Sequence, residues 1–81
     1  MNEQLVRERL KVFIIRELIR DENYDLSPTE GIITGGLMDS FSLAELAVYI
    51  ENEFDVYIPD AELTVAKMDT FDQIIKCVLT E

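Results

Sequence analysis

Histidine is absent from the sequence, and cysteine occurs once, as Cys77. Without histidine the chain lacks the commonest general base at neutral pH, and no serine in it can belong to a Ser-His-Asp arrangement. No set of Cys and His ligands for a structural zinc ion can be assembled either. A single cysteine forbids an internal disulfide, which excludes a small cross-linked secreted scaffold. Cys77 sits at the edge of an apolar stripe and reads as packing, since a nucleophilic thiol there would again have no histidine. Long apolar runs are missing too. From Met1 to Lys11 charged and apolar residues alternate, which matches neither a signal peptide nor a membrane span. These absences predict a cytoplasmic chain with no catalytic residues of its own.

Basic charge is scarce. Seven Lys and Arg face 17 Asp and Glu, for a net charge of −10. Such a surface repels nucleic acid and anionic lipid and favours protein partners with basic faces. Five of the seven basic residues (Arg7, Arg9, Lys11, Arg16 and Arg20) fall near the N-terminus, so the acidic surplus lies from Asp21 onward. With 81 residues, 48% of them hydrophobic, the composition suits one small core and not a disordered tail. The expectation is a single domain over residues 1–81, monomeric in solution.

Helical spacing dominates. Val6, Leu10, Phe13, Ile14 and Leu18 predict a helix over residues 3 to 21, ending near Asn23. A long connection follows over residues 23–39, punctuated by Pro28, Gly31, Gly35 and Gly36. Leu26, Ile32, Ile33, Leu37 and Met38 can pin it to the core, so it reads as an ordered loop that delivers Asp39 and Ser40 to a defined place. Leu43, Leu46, Ala47, Ile50 and Phe54 mark the buried stripe of a second helix over residues 40–53. Asp39, Ser40 or Ser42 could cap it, and Ser42 with Glu45 fits a capping box. On its other side Phe41, Ala44 and Val48 form an apolar strip beside Glu45, Glu51 and Asn52, the pattern of a docking face. Residues 55–60 read as an extended connector ending in Pro59. Asp60 could cap a short helical segment over residues 61–68, anchored by Leu63, Val65 and Ala66. Asp69 or Thr70 would then cap a last helix with Phe71, Ile74, Ile75, Val78 and Leu79 inward. No strand pattern or repeat stands out, so the fold class is all-α, four helices around one core.

Two chemical motifs fail. Asp21-x-Asn23-x-Asp25 begins like a calcium loop, but Leu26 replaces the required glycine and Ile32 the final glutamate. The glycines follow no strand and precede no P-loop lysine, so they make no nucleotide site. Ser40 remains. At a helix start it is either a cap or a hydroxyl held out to accept a covalent group, for which free amides and the helix dipole suit a phosphate ester.

The run Leu37-Met38-Asp39-Ser40-Phe41-Ser42-Leu43-Ala44-Glu45-Leu46 resembles the phosphopantetheine attachment motif of the acyl carrier protein family. The stretch from Glu51 through Phe54 to Ile58-Pro59-Asp60 is similar to the acidic, proline-terminated segment downstream of it. With the long first helix and loop, the resemblance covers essentially the whole chain. It implies a four-helix bundle with a long first loop and a short third helix. It implies that Ser40 carries 4'-phosphopantetheine, transferred from coenzyme A by a separate phosphopantetheinyl transferase that Asp39 helps to engage. The arm would hold an acyl or aminoacyl group as a thioester. Phe41, Ala44, Glu45, Val48 and Glu51 would meet the partners: an acyl-, aminoacyl- or malonyl-loading enzyme, and a ketosynthase or other thioester-using enzyme with a basic docking surface.

Three departures bear on subtype. Phe41 stands where fatty-acid carriers have Leu, Asn52 where their recognition helix is acidic, and the stretch 61–69 is slightly longer. They lean toward a free-standing carrier in polyketide or mixed polyketide–peptide biosynthesis. D-alanyl carrier proteins, which charge teichoic acids and vary at the residue after the serine, are the nearest rival; a fatty-acid carrier is a further one. From a different class, the rival is a non-covalent acidic adaptor whose Ser40 is only a cap.

Overall fold

The computed structural model describes residues 2–80. Among them are four α-helices and no β-strand, the all-α class expected. Helix α1 spans Glu3–Phe13. It starts where the Asn2 side chain accepts the Gln4 and Leu5 amides at 2.9 and 3.3 Å, satisfying two donors that a helix start leaves open. Val6, Leu10 and Ile14 are buried as their spacing predicts, whereas Phe13 and Leu18 reach only half-burial. The reason is the next turn. Ile14–Ile19 continues the helix as a π-helical turn, whose wider winding brings both Ile14 and Ile15 onto the core. The helix stops earlier than Asn23. Arg20 adopts the left-handed conformation (φ 63°, ψ 37°), and its amide donates to the Ile15 carbonyl. The Asp21 amide donates to the same oxygen at 3.0 Å.

Helix α2 spans Ser42–Phe54 and buries Leu43, Leu46 and Ile50; Ala47 and Phe54 are half-buried. It lies against α1 through Phe13 and Tyr49, stacked with ring centroids 4.0 Å apart. The Tyr49 hydroxyl donates to the Arg9 carbonyl at 3.3 Å, and Arg9 pairs with Glu53 across the same junction. In the extended connector that follows, Val56 and Ile58 point inward and Tyr57 outward.

The short helical segment expected over residues 61–68 is two pieces. A 3-10 turn at Asp60–Glu62 precedes helix α3, Val65–Met68. Leu63, at φ −84° and ψ 64°, breaks the run, and the Asp60 side chain makes no capping bond. Met68 is the fully buried anchor, while Ala66 is exposed and Leu63 and Val65 are half-buried.

Helix α4 spans Phe71–Thr80. Thr70, one of the two caps foreseen, holds its start: its hydroxyl accepts the Gln73 amide at 3.1 Å, and the Gln73 side chain accepts the Thr70 amide at 3.0 Å. This is a reciprocal capping box. Phe71, Ile74, Ile75 and Val78 are buried, but Leu79, expected inward, keeps 37% exposure. Arg7 joins α1 to α4 through Asp72 at 3.0 Å. Cys77 is half-buried, its thiol 3.8 Å from the Lys67 carbonyl. No helix among the described residues is long and apolar enough to cross a membrane.

The long loop is ordered by specific bonds as well as by its apolar residues. Leu26, Ile32 and Met38 are buried, and Ile33 and Leu37 half-buried. In the first half Glu30 accepts the Tyr24 hydroxyl at 2.6 Å and the Ser27 amide at 2.7 Å. These donors, Tyr24 foremost, hold its carboxyl below the ordinary range. In the second half Asp69, just before α4, accepts the Ile33 amide at 2.8 Å, the Thr34 amide at 3.0 Å and the Thr34 hydroxyl at 2.7 Å. Its own carbonyl accepts the Ile32 amide at 2.7 Å. Gly31 is glycine because a Cβ there would lie 2.0 Å from the Thr34 hydroxyl and 2.8 Å from Asp69 Oδ2. Making room would break the bond between those two groups.

Asp69→Ala removes the acceptor for three donors. The half-buried carboxylate keeps some water, so the expected loss is about 1 kcal/mol. In hydrogen exchange the Ile33 and Thr34 amides should lose protection while the Leu46 amide changes little; equal loss everywhere would contradict a local tie. The Thr34 amide, first among the causes, holds the Asp69 pKa below its ordinary 3.8. A depressed folded pKa stabilises the native state fully above the unfolded value. The contribution therefore disappears as pH falls below 3.8 through the lower folded value, in the wild type and not in Asp69→Ala.

Candidate functional site

The loop tie sets where the chain leaves the core. The Ile32 carbonyl accepts the Leu37 amide at 2.9 Å and the Met38 amide at 3.3 Å, and the Met38 side chain is buried. Gly36 makes the turn at φ 81°, a conformation strained for any residue with a side chain. From buried Met38 the next two residues, Asp39 and Ser40, emerge into solvent at the start of α2.

Asp39 is the cap. Its carboxylate accepts the Ser42 amide at 3.0 Å and the Ser42 hydroxyl at 3.3 Å, at the positive end of α2. The entry turn is tight: the Ser42, Leu43 and Ala44 amides donate three residues back at 3.2, 3.3 and 3.2 Å. The capping box expected from Ser42 and Glu45 is therefore not formed. Ser42 lies inside the first turn with its hydroxyl turned back to Asp39, and Glu45 is exposed.

Ser40 is not a cap. It is exposed, and its hydroxyl makes no hydrogen bond among the described residues. The Ser40 and Phe41 amides likewise donate to no acceptor among them. Beside Ser40 lies an open groove of about 750 Å³, lined by Ile33, Leu37 and Met38 and by Glu17, Arg20 and Glu45. Asp39 Oδ1 is engaged by Ser42, and no group among the described residues hydrogen-bonds the Ser40 hydroxyl to take its proton. The hydroxyl can accept a group that another protein delivers. The free amides and the helix dipole favour a negatively charged group on that oxygen.

The residues expected on the docking face share the exposed side of α2. Phe41 is 85% and Val48 57% exposed, and Ala44, Glu45 and Glu51 are exposed beside them. Sequence reasoning missed Tyr57, 64% exposed, which lines a groove with Ala44, Val48 and Glu51. The alternation of Val56, Tyr57 and Ile58 was the available signal, since a buried residue on each side turns the middle one outward. It missed Arg20 as well; nothing in the local sequence marks an arginine as a left-handed helix end.

No protein-family model matches the chain. Three curated proteins are similar to it. The D-alanyl carrier protein of Bacillus subtilis (strain 168) is 32% identical over 62 residues, covering 76% of this chain and 80% of the relative. That of Streptococcus sanguinis (strain SK36) is 32% identical over 65 residues, 80% of this chain and 81% of the relative. The D-alanyl carrier protein of Bacillus licheniformis is 30% identical over 63 residues, 78% and 81%.

The geometry separates two neighbouring side chains. Asp39→Ala should lose about 1 kcal/mol in chemical denaturation, the worth of an N-cap. Ser40→Ala should stay within about 0.5 kcal/mol of wild type, as for an exposed residue with no partner. A Ser40→Ala loss equal to that of Asp39→Ala would restore the cap reading.

Proposed function

This chain belongs to the acyl-carrier-type proteins, and from that membership we propose that it is a D-alanyl carrier whose attachment point is Ser40. Carrier proteins of this family bear a covalent 4'-phosphopantetheine group and catalyse nothing themselves; they tether acyl groups for other enzymes. The observation that carries the assignment of Ser40 is its hydroxyl, exposed and unbonded while Asp39 does the capping. That division of labour also weakens the adaptor alternative, which needed Ser40 as the cap.

The residues present fit the group. Ser40 Oγ would give up its proton to a base on the transferase and attack the pyrophosphate of coenzyme A, taking the 4'-phosphopantetheine moiety while adenosine 3',5'-bisphosphate leaves. Asp39 holds the entry turn, so that Ser40 meets the transferase already oriented. Once attached, the arm supplies a terminal thiol on which an acyl or aminoacyl group rides as a thioester. Phe41, Ala44, Val48, Glu45 and Glu51 offer an apolar strip flanked by carboxylates to the transferase and the loading enzyme. Acidic groups at that rim speed encounter with basic partner surfaces.

The relatives support the D-alanyl alternative over the polyketide or mixed polyketide–peptide setting that the departures from fatty-acid carriers had suggested. Phe41 is compatible with this reading, since by the resemblance it counts against a fatty-acid carrier and not against a D-alanyl one. In this reading the chain works as a single-domain monomer in the cytoplasm, its partners a phosphopantetheinyl transferase and an enzyme that activates D-alanine.

With coenzyme A, magnesium and a broad-specificity transferase, the wild type should gain one phosphopantetheine mass and Ser40→Ala none. Given D-alanine, ATP and a D-alanine-adenylating ligase, the holo form should then gain one D-alanyl mass that hydroxylamine removes. An unmodified wild type would overturn the carrier reading. A holo form that takes malonyl and refuses D-alanine would return the assignment to polyketide chemistry.

A further inference from the structure

Arg20 closes the first helical segment with a left-handed backbone (φ 63°), as Asp55 (φ 57°) closes α2, and adds two features that a helix end does not require. Its guanidinium is exposed and has no carboxylate partner among the described residues. Arg7, Arg9 and Arg16, the other arginines of this segment, are each paired with one. Its one contact, from Nε to the Glu17 carbonyl at 3.5 Å, steadies the side chain without neutralising it. Arg20 also lines the groove that holds Ser40, and it is the single cation there, beside Glu17, Asp39 and Glu45.

In a chain of net charge −10, an unpaired arginine at that place calls for an anion. Resting on the assignment of Ser40 made above, we propose that Arg20 is a positioning residue for the phosphodiester that links the pantetheine arm to Ser40. Carboxylates elsewhere on the groove repel a phosphodiester, so beside the free amides at the start of α2 the guanidinium is the one charged partner the groove lining offers, and a planar donor fork suits two phosphate oxygens. Arg20 lines the groove together with the loop residues Ile33, Leu37 and Met38. The arm would leave Ser40 on that side, its root held away from the Phe41–Val48 strip, which stays clear for partners.

The test follows arginine Nε–Hε resonances by 15N NMR as the apo protein is converted to the holo form, with conversion scored by mass. The Arg20 signal is assigned by its loss in Arg20→Gln. It should shift on conversion by more than the Arg9 and Arg16 signals, and the shift should shrink at about 0.5 M salt, as an exposed ion pair must. The 31P line of the holo protein should narrow in Arg20→Gln and recover in Arg20→Lys. A full gain of mass with an Arg20 signal that moves no more than those of Arg9 and Arg16 overturns this inference and leaves the reading of Ser40 intact. No gain of mass overturns both.

Discussion

One carboxylate governs the half of the molecule that matters for function. Asp69 accepts both the Ile33 and the Thr34 amides and the Thr34 hydroxyl, while its own carbonyl takes the Ile32 amide. A loop of this length carries backbone donors that would otherwise need water, and its ordering costs conformational entropy at every residue. The tie lets Ile32 and Met38 bury fully or nearly so, and it fixes the point at which Asp39 leaves the core. Everything at the site follows. Asp39 reaches the end of α2 and caps it, Ser42 turns back to Asp39, and Ser40 is left facing solvent with nothing to hold.

The separation of the cap from the proposed attachment point has a chemical consequence. A serine that capped its own helix would have to give up that bond before it could be modified. Here the capping bond lies on the neighbouring carboxylate, so modification of Ser40 leaves the helix start intact. Charge is divided in a similar way. Among the described residues, three of the five ion pairs join groups on or between the helices that frame the core: Arg7 with Glu3, Arg7 with Asp72 and Arg9 with Glu53. The carboxylates beside the exposed strip of α2, Glu45 and Glu51, take part in none of these pairs and stay open to basic partners.

What could be read from the sequence was whatever depends on near neighbours. The presence of the helices, most of their apolar stripes and the exposure of Phe41, Ala44 and Val48 are functions of spacing alone, and these match the structure, whereas the helix ends and the outer stripe residues Phe13, Leu18, Ala66 and Leu79 do not. The family followed from Asp39-Ser40 with its downstream segment. Bonds between distant residues were not legible: Asp69 lies 36 residues from Ile33, and no periodicity links them. The cap on α2 was ambiguous because Asp39, Ser40 and Ser42 are all good capping residues, and only the path of the incoming loop selects among them. The π-helical turn and the left-handed Arg20 escaped for the same reason, since tertiary packing of Ile14 and Ile15 overrides local preference. Leu79 was misplaced because one more apolar residue at the end of α4 extends the stripe past the core it could cover.

Ser40, and not either of the other two serines, is the hydroxyl proposed for attachment. Fragmentation mass spectrometry of the wild-type protein, after treatment with coenzyme A and transferase, locates the added group directly. It should lie on Ser40 alone. The group on Ser42, whose hydroxyl is engaged by Asp39, or on Ser27 in the first half of the loop, would contradict the account.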